Sequence, residues 1–320
     1  MDRFKYSTLM DAVADVPDPR KARGKRHSWA LLLTLISAAL VGGQHNGRAI
    51  GQWVREHADE LRSQLVLPPR PLPSPATLRR ALRALDIVAL ERRLAALAHE
   101  LARPTPPVST APWQGQAVDG KAVRGANRHG AQLQLVSLVQ HDPSIVCNQV
   151  RVRDKSNEIT AVPMRLQGRD VRGTVTTMDA LLTQQALAQQ ILAQGGHYLM
   201  VVKEHQPMLY AAIQLVFSVP PPAVPAYHLD QSTTISRGHG RLETRLMERT
   251  CALNGYVDWP GVGQVLKRTC QRIMLKTGEV SEAVTYGITS LGWQEASPAQ
   301  VEGLWRGHWR IENRVHTSGT

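Results

Sequence analysis

A proline-rich stretch divides this chain into two parts with different residue patterns. Residues 104–112 read Pro-Thr-Pro-Pro-Val-Ser-Thr-Ala-Pro, which cannot continue a helix because proline lacks the backbone N–H and clashes with the preceding turn. Before this stretch apolar residues recur at helical spacing, and after it short β-branched runs are separated by Gly, Asn, Asp and Pro. We expect a helical N-terminal domain over 1–103, a linker over 104–112 and a strand-containing domain over 113–320.

Four helices are predicted in the N-terminal part from the spacing of apolar residues: Trp29–Val41, Gly47–Gln64, Pro75–Leu85 and Ile87–Leu101. The first is almost wholly apolar, but it is shorter than the about 20 residues that a membrane-spanning helix needs. It also begins too far inside the chain for an ordinary secretory signal. We therefore expect a buried helix there and no membrane partner.

The charge of the chain favours nucleic acid as its partner. Lys and Arg number 38 against 26 Asp and Glu, and since no long basic tail holds the excess, it should spread over the folded surface. A basic protein without such a partner is the alternative. The three cysteines form no C-x-x-C pair, which argues against a zinc knuckle or a disulfide framework and fits a reducing cytoplasm.

Two N-terminal features favour DNA binding, the basic stretch over residues 20–26 and the segment after Ser74. Ser74 can cap a helix with Pro75 in its first turn, and Arg79 and Arg80 then project from that helix. Paired arginines on a short helix can contact a groove or phosphates. A solvated helix face explains the same pattern.

After the linker the pattern predicts the element order βββαβαβ. These elements are Gln116–Val118, Gln132–Val139, Ile145–Val152, helix Asn157–Leu166, Gly173–Met178, helix Thr183–Gln194 and Tyr198–Val202. This is the order of an RNase H-like core, in which three antiparallel strands precede two α-β units. The expected fold class is α/β, an RNase H-like mixed sheet flanked by helices.

A β-rich insertion is predicted between the last of these strands and a final helix. It covers residues from about 220 to 291, and its strand-like runs are Arg245–Met247, Gly263–Lys267, Arg272–Leu275 and Ala283–Ile288. The chain then returns to a helical pattern from Pro298 to about Arg314.

Two aspartates follow predicted strands of this domain. Asp119 comes after an apolar strand in Gln-Ala-Val-Asp-Gly-Lys, and Asp179 ends a second one in Thr-Val-Thr-Thr-Met-Asp-Ala. Carboxylates on neighbouring strands can face one cleft, and with a third ligand on a helix they suit Mg²⁺. A pair of such ions can activate a water or a 3′-hydroxyl for attack on a phosphodiester. Ordinary turn chemistry of each aspartate is the alternative.

The candidate third ligand is Glu312, four residues after His308 and therefore on the same face of the predicted last helix. His308 or Arg306 could then contact the scissile phosphate. A surface helix with an ordinary glutamate is one alternative. A zinc site of His308, Glu312 and His316 is another, although the H-E-x-x-H order is absent.

Several motifs in a fixed order give the chain a recognisable resemblance. They are Val16-Pro-Asp-Pro-Arg, Arg23-Gly-Lys-Arg-His, Val118-Asp-Gly-Lys, Asp154-Lys-Ser-Asn-Glu-Ile, the strand of Asp179, His239-Gly-Arg-Leu-Glu-Thr-Arg and Gly307-His-Trp-Arg-Ile-Glu-Asn. Together they resemble the DDE insertion-sequence transposases of the branch that includes H-repeat-associated proteins.

The resemblance implies a bacterial DNA transposase with an RNase H-like catalytic domain and a β-strand insertion before the glutamate helix. The family's two aspartates and its glutamate fall on Asp119, Asp179 and Glu312, which implies Mg²⁺, with Mn²⁺ as a substitute. The implied partner is double-stranded DNA, both the element's terminal inverted repeats and the target, on the nucleoid of the cytoplasm. A homodimer is expected because two ends must be held together.

Contacts with DNA phosphates are expected from basic residues near the strand ends and on the last helix: Lys121, Arg124, Lys155, Lys203, Arg306, His308 and Arg310. Solvent-facing side chains are the alternative for the lysines. In related transposases a Tyr, an Arg and a Lys surround the glutamate, whereas Trp305, His308 and Gly319 fill that spacing here. The phosphate contact therefore passes to His308.

Relatives are expected to continue beyond Thr320 by at least another helix, so we expect this chain to be truncated at its C-terminus. Three hypotheses follow. The chain is an active transposase, an inactive remnant that still binds DNA, or a structure-directed or repair nuclease on the same fold, because the site by itself fixes phosphodiester chemistry and not the biological role.

Overall fold

The computed structural model describes residues 6–21, 25–68, 70–101, 113–128, 131–142, 145–152, 171–219 and 229–309. The chain divides into two compact units, Met1–Arg103 and Pro104–Thr320. No described helix is long and apolar enough to cross a lipid bilayer.

The N-terminal unit is helical. Its described helices are α1 (Tyr6–Ala12), α2 (Trp29–Val41), α3 (Gly47–Glu56), α4 (Ala58–Gln64), α5 (Pro75–Ala84) and α6 (Ile87–Leu101). Helix α2 is buried on nearly every side, which confirms the predicted buried helix. The predicted cap of α5 is also confirmed, since the Ser74 side chain accepts a hydrogen bond from the backbone N–H of Thr77 at 3.2 Å.

One prediction in this unit was wrong, and one helix was missed. The single helix predicted over Gly47–Gln64 is two helices, and the break falls at His57, whose ring stacks on Trp53 and whose Nδ1 lies 2.9 Å from the Trp53 carbonyl oxygen. Helix α1 was not predicted. It is short and has no acidic residue in its first turn, and it is held by packing, because Leu9 is buried in the core of the unit.

The C-terminal unit contains one mixed sheet. Its described strands are β1 (Gln114–Arg128), β2 (Ala131–Gln140), β3 (Ile145–Val152), β4 (Thr174–Met178), β5 (His197–Val202), β6 (Leu229–Gly238), β7 (Arg241–Thr250), β8 (Gln264–Met274) and β9 (Val280–Thr289). Within the described residues they lie in the order β3-β2-β1-β4-β5-β9-β8-β7-β6. Strands β1 to β3 are antiparallel neighbours, and β1, β4 and β5 are parallel. The predicted mixed sheet is confirmed.

The insertion is β-rich, as predicted, but its strands differ from the predicted runs. Strand β6 was missed, and β8 is one continuous strand where two runs, Gly263–Lys267 and Arg272–Leu275, were predicted. The polar stretch between those runs stays in the strand because it pairs with β7 and β9 along its length. Strand β9 pairs antiparallel with β5, so the insertion widens the same sheet. The helix predicted over Asn157–Leu166 lies outside the described residues.

Three described helices pack against this sheet, α7 (Gln185–Ala193), α8 (Pro207–Ser218) and α9 (Pro298–His308). Helices α7 and α8 share one core cluster with Met178 and Ile288, whereas α9 shares another with Val175 and Leu266. Because neighbouring strand residues point to opposite faces, α9 covers the face opposite to α7 and α8. Helix α8 was not predicted, and α9 begins at Pro298 as predicted.

Candidate active site

Asp119 and Asp179 lie side by side at the same level of two neighbouring strands. Strands β1 and β4 are parallel, and their register pairs Val118 with Met178. Asp119 is the next residue of β1, and Asp179 directly follows the end of β4. Val118 and Met178 are buried in the core under α7 and α8, so alternation directs both aspartate side chains to the face that α9 covers. The two carboxylates therefore lie on the same face of the sheet, at the level where β4 ends.

Each aspartate also has a local turn role. Asp119 Oδ1 accepts a hydrogen bond from the Gly120 N–H at 2.9 Å, and Asp179 Oδ1 accepts one from the Leu182 N–H at 3.1 Å. Both side chains are half-buried. The turn chemistry considered as the alternative is present at both positions. For Asp179 it occupies one carboxylate oxygen, and no described donor bonds the other.

Helix α9 places His308 beside the two carboxylates. The His308 ring is buried, and its Nδ1 lies 3.1 Å from the Thr177 hydroxyl. Burial lowers the pKa of the His308 imidazole below its ordinary value, and the negative charges of Asp119 and Asp179 oppose that shift. Since Thr177 lies two residues before Asp179, the contact of His308 with Thr177 brings the last helix to the strand that leads to Asp179.

His141, which the sequence analysis missed, links β2 to this arrangement. Its Nε2 lies 3.1 Å from the Thr177 hydroxyl, and that hydroxyl also lies 3.1 Å from the Gln116 carbonyl oxygen. Because a carbonyl only accepts, the Thr177 hydroxyl donates its one proton to Gln116 and accepts from both imidazoles. In this arrangement His308 carries a proton on Nδ1.

The His141 ring occupies a slot between two glycines on different elements. A Cβ atom added to Gly115 on β1 or to Gly307 on α9 would lie 2.1 Å from His141 Nδ1. The last turn of α9 can therefore approach β1 only because position 307 lacks a side chain. The glycines are visible in the sequence, but the histidine that fills the slot is not, since it comes from a different strand.

The remaining predicted site residues are dispersed. Lys203 is exposed just after β5, and Arg306 is exposed on α9. Arg79 and Arg80 are exposed on α5 of the N-terminal unit. The residues Lys121 and Arg124 lie on β1, but their side chains are not described. The predicted residues outside the described part of the chain are Lys155, Arg310 and Glu312.

No set of three His, Cys, Asp or Glu side chains within the described residues is arranged to hold a metal ion. Glu312 and His316 lie outside the described residues. The three-carboxylate site and the alternative zinc site therefore both stay predictions, because each needs a residue beyond His308 that is not described.

Comparison with protein families assigns the chain. The family model described as "Transposase DDE domain" matches residues 105–319, and a model described as "DDE_Tnp_1-associated" matches residues 10–98. The chain belongs to the DDE transposase family. The resemblance drawn from the sequence motifs is confirmed.

Relatives of this DDE family member extend over most of its length. The uncharacterized protein in the dhlA 3′ region of Xanthobacter autotrophicus is 30% identical over 83% of this chain and 88% of its own. YncI of Escherichia coli O157:H7, whose name proposes a transposase, is 27% identical over 98% of this chain and 79% of its own. The H repeat-associated protein YhhI of Escherichia coli strain K12, named in the same way, is 29% identical over 62% of this chain and 54% of its own.

Among solved structures, a piggyBac transposase in a synaptic complex with hairpin DNA aligns with 97% of this chain and 63% of that one. The TM-score is 0.40 at 9% identity. A likeness this weak adds nothing to the family assignment.

Proposed function

We propose that this protein is an insertion-sequence transposase that cuts DNA at the ends of its element and joins the freed 3′-hydroxyl to target DNA. The observation that carries the proposal is the register of β1 and β4, which sets Asp119 and Asp179 side by side with His308 next to them. Two adjacent carboxylates on a rigid sheet provide the precision that a phosphoryl-transfer site needs. Membership of a transposase family supports the biological role.

The oxygen ligands that the two aspartates supply fit Mg²⁺, or Mn²⁺ in its place. Asp119 and Asp179 supply hard carboxylate oxygens, which these ions prefer, and Glu312 is proposed as the further ligand. When bound, such ions stabilise the charge on the attacking and leaving oxygens of a phosphodiester.

The chain's own residues would position the DNA strand. His308 bonds Thr177 through its Nδ1, and in its doubly protonated form it would donate from Nε2 to a phosphate oxygen of the DNA. Arg306, two positions earlier and exposed, would contact the backbone from outside the site. We propose double-stranded DNA as the substrate, on the nucleoid of the cytoplasm, and a homodimer as the form that holds two ends.

The first test is a gel assay of the 320-residue chain with a labelled duplex taken from the DNA that flanks its coding sequence, with Mg²⁺ or Mn²⁺ against EDTA. Asp119→Asn and Asp179→Asn are the matched variants, because asparagine keeps an Oδ1 that can accept the turn hydrogen bond while removing the charge. We expect metal-dependent cutting by the unaltered chain. Each variant should lose more than about 100-fold of the rate, since loss of an outer partner of a metal site already costs 10–100-fold.

The products distinguish the three hypotheses. Strand-transfer products support the transposase, and cutting without strand transfer would indicate a nuclease. Sequence-specific binding without any cutting would indicate a DNA-binding remnant. Full cutting by Asp119→Asn would contradict the proposed site, whatever the products are.

A further inference from the structure

The His-Gly-Arg-Leu-Glu-Thr-Arg motif forms the hairpin between β6 and β7. His239 and Gly240 have φ values of +48° and +73°, and Gly238 pairs directly with Arg241. Two consecutive left-handed residues form the kind of tight turn that joins twisted antiparallel strands. Beyond the turn, Arg241, Glu243 and Arg245 alternate with Leu242 and Thr244 and so point to one face of the sheet.

Three arginines on that face pair with one carboxylate. Glu243 contacts Arg241 at 2.6 Å, Arg272 of β8 at 3.4 Å, and Arg245. The Glu243 side chain is only 10% exposed, whereas those of Arg241 and Arg272 are 43% and 46% exposed. The carboxylate therefore holds Arg245 in the buried layer, where its side chain is 7% exposed, and anchors Arg241 and Arg272 with part of each at the surface.

Positive charge on this face exceeds what its carboxylates neutralise. Arg268 is matched by the buried Glu302, with two contacts of 2.8 and 3.1 Å. Arg306 of α9 pairs with no described carboxylate, yet it lies close enough to repel Arg245. Burial, then Arg306, lowers the pKa of Arg245.

We call the set of Arg241, Arg245, Arg272 and Arg306 around Glu243 the arginine face. Four cations stand here against one anion, so the face lacks negative charge that a ligand can supply. We propose that the arginine face binds the phosphate backbone of duplex DNA, on the same face of the sheet as Asp119 and Asp179 but separated from β4 by β5 and β9. The partner's identity rests on the proposed function.

The chemistry of arginine supports a phosphate ligand. A guanidinium presents a planar fork of donors that matches phosphate oxygens in pairs. Prior anchoring on Glu243 reduces the side-chain freedom that binding would otherwise remove. Backbone contacts of this kind fix the register of a protein on DNA without reading sequence.

The same hairpin carries a matched control on its other face. Arg237 pairs in register with Leu242 and so projects away from Glu243, and it is exposed. Arg237 lies on the opposite face of the sheet from Arg241. The two arginines are at nearly the same distance from the turn, since Arg237 is only one residue farther along the hairpin.

The test is the salt dependence of affinity, measured by fluorescence anisotropy with a labelled random-sequence duplex over a range of KCl concentrations. Each lost phosphate contact reduces the slope of log K against log salt by about 1. We expect Arg241→Gln/Arg272→Gln to reduce the slope by about 2 and Arg237→Gln to leave it unchanged. Arg241→Lys/Arg272→Lys should restore the slope, because the charge returns. Melting curves check that each variant is folded.

An unchanged slope in the folded double glutamine variant would overturn the arginine face, as would an equal decrease in the Arg237 variant. If the double variant does not fold, Arg241→Gln and Arg272→Gln singly carry the same test, each with an expected decrease of about 1. Failure of the unaltered chain to bind any duplex would instead overturn the proposed function, so the two failures are distinguishable.

Discussion

The central and outer strands of the mixed sheet differ in how they accommodate charged side chains. Strands β4 and β5 are buried on both faces, and from Val175 to Met178 and from Tyr198 to Val202 every residue is buried. Parallel strands covered on both sides admit little but apolar and hydroxyl side chains. In β7, by contrast, three charged residues, Glu243, Arg245 and Arg249, are buried on one face.

This difference decides where chemistry can occur. A charge cannot lie within the central strands without a large desolvation cost, so Asp179 stands where β4 has just ended. In the outer strands charges remain within the strand because each finds a partner. Arg249, for example, bonds Asp230 at 2.7 Å and Gln264 at 2.9 Å, and it stacks on Trp293 with 4.0 Å from its guanidinium carbon to the ring centre.

The largest effect on stability is expected from a buried charge of the outer strands. Glu302→Gln leaves Arg268, only 11% exposed, without its carboxylate, and removing one partner of a buried pair costs about 3–5 kcal/mol. Asp119→Asn, on the inner strand β1, should lower the free energy of unfolding by about 1 kcal/mol or less, in spite of the loss of cutting expected of it. Urea unfolding of the two variants measures the contrast.

Replacing both partners provides the control. Arg268→Met/Glu302→Leu should cost less than Glu302→Gln alone, because no uncompensated charge is left. Equal losses of stability for Glu302→Gln and Asp119→Asn would mean that the two regions do not differ in this way.

The next effect tests how α9 reaches the central strands. Gly307→Ala places a Cβ atom 2.1 Å from His141 Nδ1, so α9 or the ring must move, and overpacking of this kind costs about 1–3 kcal/mol. The double variant His141→Ala/Gly307→Ala should lose less than the sum of the single variants, because the residues are in contact. Thermal melting of all three gives the coupling. Additive losses would mean that the slot does not control the docking of α9.

The smallest effect concerns one hydroxyl in the central sheet. Thr177→Val keeps the shape but leaves the imidazole N–H groups of His141 and His308 without their acceptor, which should cost about 1–2 kcal/mol. Thr177→Ser restores the hydroxyl and should recover most of this loss. Nitrogen chemical shifts of the imidazoles report the His308 tautomer. A Val variant with unaltered shifts would show that Thr177 does not set it.

Much of this fold follows from local signals. Ser28 and Ser74 mark the starts of α2 and α5 because a serine side chain can satisfy a free N–H of the first turn. The strand before Asp179 is visible because its β-branched residues suit a pleated, buried surface. The residue pattern did not predict two elements that depend on packing or strand pairing. Helix α1 is stabilised by the burial of Leu9, and the side chains of β6 are mainly polar.

The candidate site divides in the same way. Its two aspartates could be found because each follows an apolar strand, and family membership accounts for their expected role. His141 could not be found, since a histidine after a strand gives no sign of the helix it will meet. The ion pair between Arg268 and Glu302 joins residues that are 34 positions apart. No local pattern in the sequence could predict it.

The sequence by itself therefore determined the family, the helical and strand-containing parts, and the residue types that the chemistry requires. These depend on composition, spacing and capping, which act over a few residues. Only the tertiary structure decided that the insertion widens the same sheet through β5 and β9, that α9 docks by a glycine against His141, and that the arginines of β7, β8 and α9 converge. Those contacts join residues far apart in the chain, and their energy comes from burial and charge pairing that exist only once the sheet has formed.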